Sequence, residues 1–212
     1  MENTESKEKI LKGAEELFLR FGVRSVSMDD IARHLGISKK TIYQYFKDKD
    51  DIVTIITKNY FEEDRQIYEE VIHNSANAIE EAMGCSQCLR KQIQDLNPSL
   101  LFDLQKYHPE AWKVYLDFKK GFIREGIINN IKRGISEGYF RSDINPEILA
   151  SFRLEQVQLA FDENIFPEEK YKMTEVQMHL FDHFIQGMLT AKGRALFENY
   201  KSLKNQTIIK ES

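Results

Sequence analysis

The sequence has little of what disulfide scaffolds, membrane spans or hairpins require. Of its 212 residues, 2 are cysteine and 4 are proline. Two cysteines are too few for a disulfide framework and suit a reducing compartment. Apolar runs last only a few residues, too short to span a bilayer, and no Asn-Gly or Asp-Gly turn joins alternating segments. The N-terminus is polar and acidic, unlike a signal peptide. We therefore expect a cytoplasmic protein that makes no contact with a membrane.

The charge of the chain is unevenly distributed. The net charge is −4, which alone argues against a partner as acidic as DNA. Residues 1–50, however, hold ten Lys and Arg against nine Asp and Glu, and residues 51–212 hold twenty against twenty-five. Between Arg33 and Lys49, five basic residues face one acid, Asp48. The positive charge is therefore local, and it lies in the first quarter of the chain.

Helical periodicity recurs along the whole sequence and predicts an all-α fold of about nine helices. Gly22 ends the first of these, whose apolar stripe comprises Ile10, Ala14, Leu17, Phe18 and Phe21. A residue of capping type precedes proline at Asn97-Pro98, His108-Pro109 and Asn145-Pro146. A short tenth helix is compatible with Ala191–Tyr200, followed by a frayed tail from Lys201.

Residues 27–46 have the pattern of a helix-turn-helix. Ser27 and Asp30 predict a capping box at the start of a short helix. Gly36 ends that helix, because glycine accepts the left-handed backbone of a tight turn. Ile37 is an apolar plug in the turn, and Ser38 is suited to cap a second helix. Two short helices joined in this way form a DNA-reading motif.

The angular layout of the second helix suits a major groove. At about 100° per residue, Ile42 and Phe46 define the buried direction. Lys40 and Gln44 then point away from the core, with Thr41 and Lys47 beside them. Tyr43 and Tyr45 flank this polar face, which would meet base edges and phosphates.

The run from Ser27 to Lys49 resembles the DNA-binding domain of TetR-family regulators, and the match extends over about residues 6–56. The resemblance implies a three-helix DNA-binding head in residues 1–50. It also implies a larger helical ligand-binding and dimerisation domain in residues 51–212. By position, the DNA-contacting residues would be Ser27, Met28, Lys39, Lys40, Thr41, Tyr43, Gln44, Tyr45 and Lys49. Met28 departs from the small hydroxyl residue that is often found there, which argues against a polar phosphate contact.

Two further sets of residues are candidates for the C-terminal part. Aromatic side chains with a few polar groups are typical of a ligand pocket among helices, although such stripes are more often core. The candidate pocket residues are Phe102, Trp112, Tyr115, Phe118, Phe122, Phe152 and Gln156. The resemblance puts a dimer interface on the last two long helices, with candidate residues Phe152, Val176, Leu180, Phe184 and Met188.

Other motifs are weak. Cys85-x-x-Cys88 has the spacing of a metal or redox pair but lacks a second pair and a strand-helix context. His179 and His183, four residues apart, lack a clear third ligand. No nucleophile-base pair or phosphate-binding glycine loop stands out. We expect no enzymatic activity, no cofactor and no metal.

The sequence thus predicts a homodimeric transcription regulator that binds a palindromic DNA operator. We expect it to act as a repressor that an unidentified small-molecule effector releases from DNA. Activation of transcription stays open. Two rival hypotheses are a helical small-molecule carrier or enzyme with a relic helix-turn-helix, and a protein-protein adaptor anchored by Tyr43 and Tyr45.

Overall fold

The computed structural model describes residues 2–95 and 99–211, and only the backbone of residues 2, 3, 95, 99 and 204–211. Within these ranges the regular elements are helical. The helices are α1 Glu2–Phe21, α2 Met28–Leu35, α3 Lys39–Tyr43, α4 Lys49–Asn74, α5 Ala78–Asp95, α6 Ser99–Tyr107, α7 Pro109–Asp117, α8 Arg124–Ser136, α9 Pro146–Leu159, α10 Met173–Met188 and α11 Ala191–Glu211. A π-helical segment, Phe118–Ile123, joins α7 to α8 without a break. The all-α prediction is confirmed.

The chain forms two compact units. The first comprises Met1–Arg65 and Leu96–Phe118, and the second comprises Gln66–Asp95 and Lys119–Ser212. The chain passes from one unit to the other inside α4, after Asp95 and after Phe118. The first unit therefore contains the predicted DNA-binding domain together with the start of α4, α6 and α7.

The core of the first unit is built from the apolar faces of α1 to α4, with contributions from α6 and α7. Its fully buried side chains include Ile31, Ile42 and Phe46. Ile10, Ala14 and Phe18 of the predicted α1 stripe are buried as well. Phe21, the last member of that stripe, is instead 52 % exposed. The helix ends there, because Gly22 adopts the left-handed φ of 79°, and the next residue, Val23, is buried in the core.

The core of the second unit lies among α5, α8, α10 and α11. Ile79, Ile131, Phe140, Ile185 and Phe197 are its most deeply buried side chains. A single antiparallel bridge between Phe140 and Leu189 ties the loop after α8 to the end of α10 among the described residues. Helix α9 packs against α8 and α10 of this unit.

The helix caps predicted before the prolines are confirmed at one position and not at another. Asn145 caps α9, because its side chain accepts a hydrogen bond from the Ile148 amide. His108 precedes Pro109 as predicted but makes no side-chain cap bond, and Asn97-Pro98 lies outside the described residues. The final helix, α11, extends past the predicted Tyr200 to Glu211. No helix in the described part of the chain is long and apolar enough to cross a membrane.

Candidate nucleic-acid interface

The start of α2 is fixed by reciprocal hydrogen bonds. The Asp30 amide donates to Ser27 Oγ at 3.2 Å, and the Ser27 amide donates to Asp30 Oδ2 at 2.9 Å. The Ser27 hydroxyl also donates to Asp30 Oδ2 at 2.5 Å. These bonds from Ser27 hold the pKa of Asp30 below its usual value. The predicted capping box is present, and it fixes where the helix-turn-helix begins.

The turn between α2 and α3 depends on Gly36. This residue has φ 65° and ψ 31°, the left-handed region that glycine occupies without steric cost. The amide of the next residue, Ile37, donates to the Ala32 carbonyl at 3.0 Å, and the Ile37 side chain packs against the first unit's core. The turn is therefore held by both its backbone and its apolar plug.

The second helix of the motif, α3, is short but continues as a tighter turn. Ser38 caps it by accepting from the Thr41 amide at 3.1 Å. The α-helix proper ends at Tyr43, and the Tyr45 and Phe46 amides then donate to the Ile42 carbonyl at 3.0 and 3.1 Å. The backbone thus keeps turning as far as Phe46. The predicted buried and exposed faces of the helix therefore extend over the whole segment.

The two faces of this segment separate as predicted, with one exception. Ile42 and Phe46 are 0 % and 1 % exposed, whereas Lys40 and Gln44 are exposed. Tyr43 is 48 % exposed and leaves its ring available to a partner. Tyr45 is instead half-buried and packs against the core of the first unit. The two tyrosines therefore do not flank the polar face symmetrically, and Tyr45 has only part of its ring available.

The cations of the motif are held differently from one another. Lys39 Nζ lies 2.9 Å from Asp29 Oδ2, and this bond raises the pKa of Lys39. Lys40 and Lys47 are exposed. Lys49 is half-buried, its Nζ lies 6.0 Å from the Phe18 ring centroid, and burial lowers its pKa. Lys47 Nζ lies 4.0 Å from Asp48 Oδ2. Lys40 is consequently the cation of the motif best placed to reach a phosphate without first breaking a contact.

Three of the residues that the resemblance assigned to DNA contact have other roles in this structure. The Met28 side chain is 7 % exposed and belongs to the core, so it leaves almost no surface for DNA. The Ser27 hydroxyl is occupied by the capping box. Thr41 Oγ1 lies 2.8 Å from Ser38 Oγ, so the two hydroxyls are hydrogen-bonded to each other. The exposed polar face thus consists of Lys40, Gln44 and Tyr43, with Lys39 and Lys47 at its edges.

Comparison with known protein families identifies the segment that contains this helix-turn-helix. Residues 10–54 match the model of the bacterial regulatory proteins of the tetR family. Residues 10–54 therefore form a DNA-binding segment of the tetR-family type. The matched residues contain α2 and α3 and end early in α4, so the family match falls on the helix-turn-helix described above.

Individual relatives agree with this match. YvaF of Bacillus subtilis, an uncharacterized HTH-type transcriptional regulator, is 28% identical over 77% of this chain and 86% of its own length. The HTH-type transcriptional repressor KstR2 of Mycobacterium tuberculosis is 22% identical over 68% of this chain and 74% of its own length. A choline-bound putative transcriptional regulator of Saccharomonospora viridis shares the fold, with a TM-score of 0.72 and 23% identity over 88% of this chain and 99% of its own. With its tetR-type N-terminal segment and these relatives, the chain is a DNA-binding transcriptional regulator.

A contact that the sequence did not predict links α4 to the junction of α6 and α7. His108 Nδ1 lies 2.8 Å from Asp50 Oδ1, with the His108 side chain 7% exposed and the Asp50 side chain 62% exposed. Asp50 follows Lys49 at the start of α4, immediately after the helix-turn-helix. The His108-Pro109 pair indicated only a helix start, and nothing in the sequence indicated a partner 58 residues away.

The predicted pocket residues of the first unit form an aromatic cluster, except for one. Trp112 and Tyr115 have ring centroids 4.8 Å apart, and Phe61 of α4 stacks on Phe118 at 4.8 Å. Phe61 also contacts Tyr115 at 5.7 Å. Phe102 is separate from this cluster. It is 57 % exposed on α6 with Lys106 Nζ 5.4 Å from its ring centroid, so it faces solvent rather than a pocket.

The predicted pocket residues of the second unit differ in burial. Phe122 lies 6.4 Å from Tyr68 in an edge-on ring contact. Gln156 is 6 % exposed and leaves its side-chain oxygen without a hydrogen bond. Phe152 is 51 % exposed and borders an open depression of about 450 Å³ along α9. The depression is lined by Phe152, Glu155, Gln156, Gln158, Leu159, Phe161 and Asp162.

The candidate dimer residues also separate into two groups. Val176, Phe184 and Met188 are 5 %, 8 % and 3 % exposed, so they pack inside their own subunit and offer little surface to another copy. Leu180 is half-buried and Phe152 is exposed. The sequence pattern could not separate these groups, because both lie on apolar helical faces. The exposed apolar side chains of α9 are Ile148, Phe152 and Leu159.

The cysteines and the paired histidines do not form a cluster with other ligands. Cys85 and Cys88 lie on α5 and are not joined by a disulfide. His179 and His183 are exposed on α10. Within the described residues, no group of three or more His, Cys, Asp or Glu side chains could hold a metal ion.

We expect the Cys85 thiol to react slowly with alkylating reagents. Burial, followed by the nearby Glu81 carboxylate, raises the pKa of the Cys85 thiol to about 12. The nucleophile is the thiolate. With the pKa at about 12 rather than its usual value of about 9, the fraction of Cys85 present as thiolate at pH 7 falls about a thousandfold. In a Cys88→Ser variant, iodoacetamide labelling of the native protein should be negligible at pH 7 and should accelerate only above about pH 10. Rapid labelling at pH 7 would contradict this assignment.

Proposed function

We propose that the protein is a homodimeric repressor that binds a palindromic operator and leaves it when a small organic effector binds the helical domain. The observation that carries the proposal is the polar face of α3, where Lys40 and Gln44 are exposed opposite the fully buried Ile42. In this proposal residues 1–50 are the DNA-binding domain and residues 51–212 the regulatory domain. The protein would act in the cytoplasm, where bacterial DNA lies.

The exposed face of α3 supports reading of the major groove. Gln44 can make paired hydrogen bonds to adenine, and Lys40 can bond to the guanine acceptors. Tyr43 and Lys47 would contact the flanking phosphates, which fix register without carrying sequence information. Lys39 would exchange its ion pair with Asp29 for a phosphate. Since α3 has five residues in α-helical conformation, one copy reads few base pairs.

The exposed stripe of α9 supports a second copy as the partner. At about 100° per residue, Ile148, Phe152 and Leu159 lie within about 40° of one another on this helix. They are 66 %, 51 % and 39 % exposed, and each side chain that becomes buried contributes about 1.5–3 kcal/mol. Two copies related by a two-fold axis would place two recognition helices in successive major grooves, about 34–36 Å apart.

The contact between His108 and Asp50 supports a route from effector to DNA. His108 begins α7, whose Trp112 and Tyr115 belong to the aromatic cluster with Phe61. Movement of α7 would therefore be transmitted to the start of α4, beside Lys49. An effector must bind the DNA-incompetent arrangement more tightly, and typical couplings amount to about 1–3 kcal/mol.

Deleting the gene tests whether the regulator represses. We expect transcripts whose promoters carry the operator to rise in the deletion strain and to return to their original level on complementation. A complementing variant with Lys40→Ala and Gln44→Ala should fail to restore repression. A fall of the same transcripts on deletion would instead establish an activator, which is the alternative function for the same DNA-binding face.

A further inference from the structure

The interior of the second unit contains a guanidinium group without an acidic partner. Arg153 of α9 is 6 % exposed, and its Nη1 atom is buried without a hydrogen bond. Among the residues that the structure describes, no carboxylate forms an ion pair with it. Its planar group lies instead against two buried rings, with its central carbon 5.4 Å from the Phe181 centroid and 5.8 Å from the Phe184 centroid.

A buried cation without a counterion is costly, and a second arginine increases that cost. Burial of Arg153 and repulsion from Arg90 of α5 lower the pKa of Arg153 to about 10. Arg90 donates from Nη1 to Ser86 Oγ at 2.7 Å. The Asp182 carboxylate, whose charge acts on Arg90, already accepts a hydrogen bond from Lys201 Nζ at 2.5 Å. The two guanidinium groups thus lie close enough to repel each other, and in the described part of the chain neither forms an ion pair with a carboxylate.

A tyrosine that lies near Arg153 is hydrogen-bonded to a glutamine. The Tyr68 hydroxyl, which is close enough to Arg153 to influence its charge, donates to Gln92 Oε1 at 3.1 Å. The other side-chain atom of this amide, Gln92 Nε2, is buried without an acceptor. Arg153 Nη1 and Gln92 Nε2 are therefore two buried donors that lack acceptors. Buried donors in proteins are nearly always bonded, so an unsatisfied pair indicates a missing acceptor.

We propose that this cluster of Arg153, Arg90, Gln92 and Tyr68 binds the carboxylate of a small organic acid, and that such acids are the effectors of the regulator. Arginine matches the planar carboxylate with two parallel hydrogen bonds. The rings of Phe181, Phe184 and Phe122 supply apolar walls for the rest of the molecule. The inference rests on the proposed function, because it names the chemical class of the effector of that regulatory domain.

Binding of matched probes to the purified full-length protein tests the assignment. The probes are octanoate and benzoate, with octan-1-ol and octylammonium as uncharged and cationic counterparts and inorganic phosphate as a second anion. We expect calorimetric titration to show binding of at least one carboxylate, with octan-1-ol at least tenfold weaker and no binding of octylammonium. Equal affinity for octanoate and octan-1-ol, binding of phosphate alone, or no binding of either carboxylate would overturn the proposal.

Substitution of Arg153 provides a readout that a structural role would not give. Arg153→Met should weaken carboxylate binding about ten- to hundredfold, because charge-assisted bonds are lost. The same variant should raise the melting temperature of the ligand-free protein by a few degrees, because a buried unpaired charge is replaced by an apolar side chain. A lower melting temperature with unchanged carboxylate affinity would show that Arg153 is only structural.

Two further variants keep the test independent of folding and of DNA binding. If Arg153→Met does not fold, Arg90→Gln, at a half-buried position, should still weaken carboxylate binding about tenfold. Arg141→Gln, at an exposed arginine of the same unit, should change nothing. Operator affinity is measured separately without probe. A wild-type protein that does not bind operator would refute the proposed function. A wild-type protein that binds operator but no carboxylate would refute this inference alone.

Discussion

Phe152→Glu should convert the protein from a dimer to a monomer and lower its operator affinity at least a hundredfold. Phe152 is 51 % exposed in the middle of the α9 stripe, and the two-fold axis would bring two copies of the new carboxylate into one apolar contact. Desolvating a charge without a partner costs more than burial of the stripe returns. A monomer also loses the second recognition helix, since both half-sites must be occupied for full affinity. Analytical ultracentrifugation at micromolar concentration measures the dimer, and titration of labelled operator measures the affinity.

Two matched variants define what this result means. Phe152→Leu keeps an apolar side chain and should stay dimeric. Ile67→Glu introduces the same charge at another exposed apolar position of the second unit, where Ile67 is 47 % exposed on α4, and it should also stay dimeric. A dimeric Phe152→Glu protein with unchanged operator affinity would show that the α9 stripe is not the interface.

The double substitution of Lys40→Ala with Gln44→Ala should have the second large effect. Both side chains are exposed on the α3 segment, opposite the buried Ile42 and Phe46, so the fold should tolerate their removal. Each base contact contributes about 1–3 kcal/mol of discrimination, so the two losses together should weaken operator binding about 30- to 25,000-fold. The preference for operator over random DNA should fall by a similar factor.

Controls separate base reading from general electrostatics. A paired variant of Lys58→Ala with Gln105→Ala removes the same residue types from exposed positions of α4 and α6 and should bind operator normally. The melting temperature of both variants should match the wild type. Operator affinity that survives the loss of Lys40 and Gln44 would show that these side chains do not read the bases. Partner binding that persists at high salt would instead favour the adaptor hypothesis.

Local sequence signals predicted the helix-turn-helix well. The Ser27 box, the Gly36 turn and the Ser38 cap each depend on residues within four positions of one another, so the pattern contains all the information needed. The buried pair Ile42 and Phe46 follows from helical geometry alone, even though the backbone tightens after Tyr43. In such segments the position of a side chain is set by its neighbours in the chain.

Tertiary packing accounts for what the sequence did not predict. Met28 and Tyr45 looked like surface residues by position, but the first unit's core takes up Met28 fully and Tyr45 in part. On α10, Val176 and Met188 looked available to a second copy, and the second unit's core covers them. The contact between His108 and Asp50 and the unpaired burial of Arg153 depend on distant residues. No local pattern could have indicated either.

Selection of duplexes from a random-sequence pool by the purified protein tests the central claim, that the exposed face of α3 reads DNA as a symmetric pair. We expect enrichment of one inverted repeat, whose half-site centres are separated by about 10–10.5 base pairs or a multiple of that spacing. The variant with Lys40→Ala and Gln44→Ala should enrich no repeat under the same conditions. An unenriched pool after repeated rounds with the wild type, or the same repeat enriched by both proteins, would contradict the account.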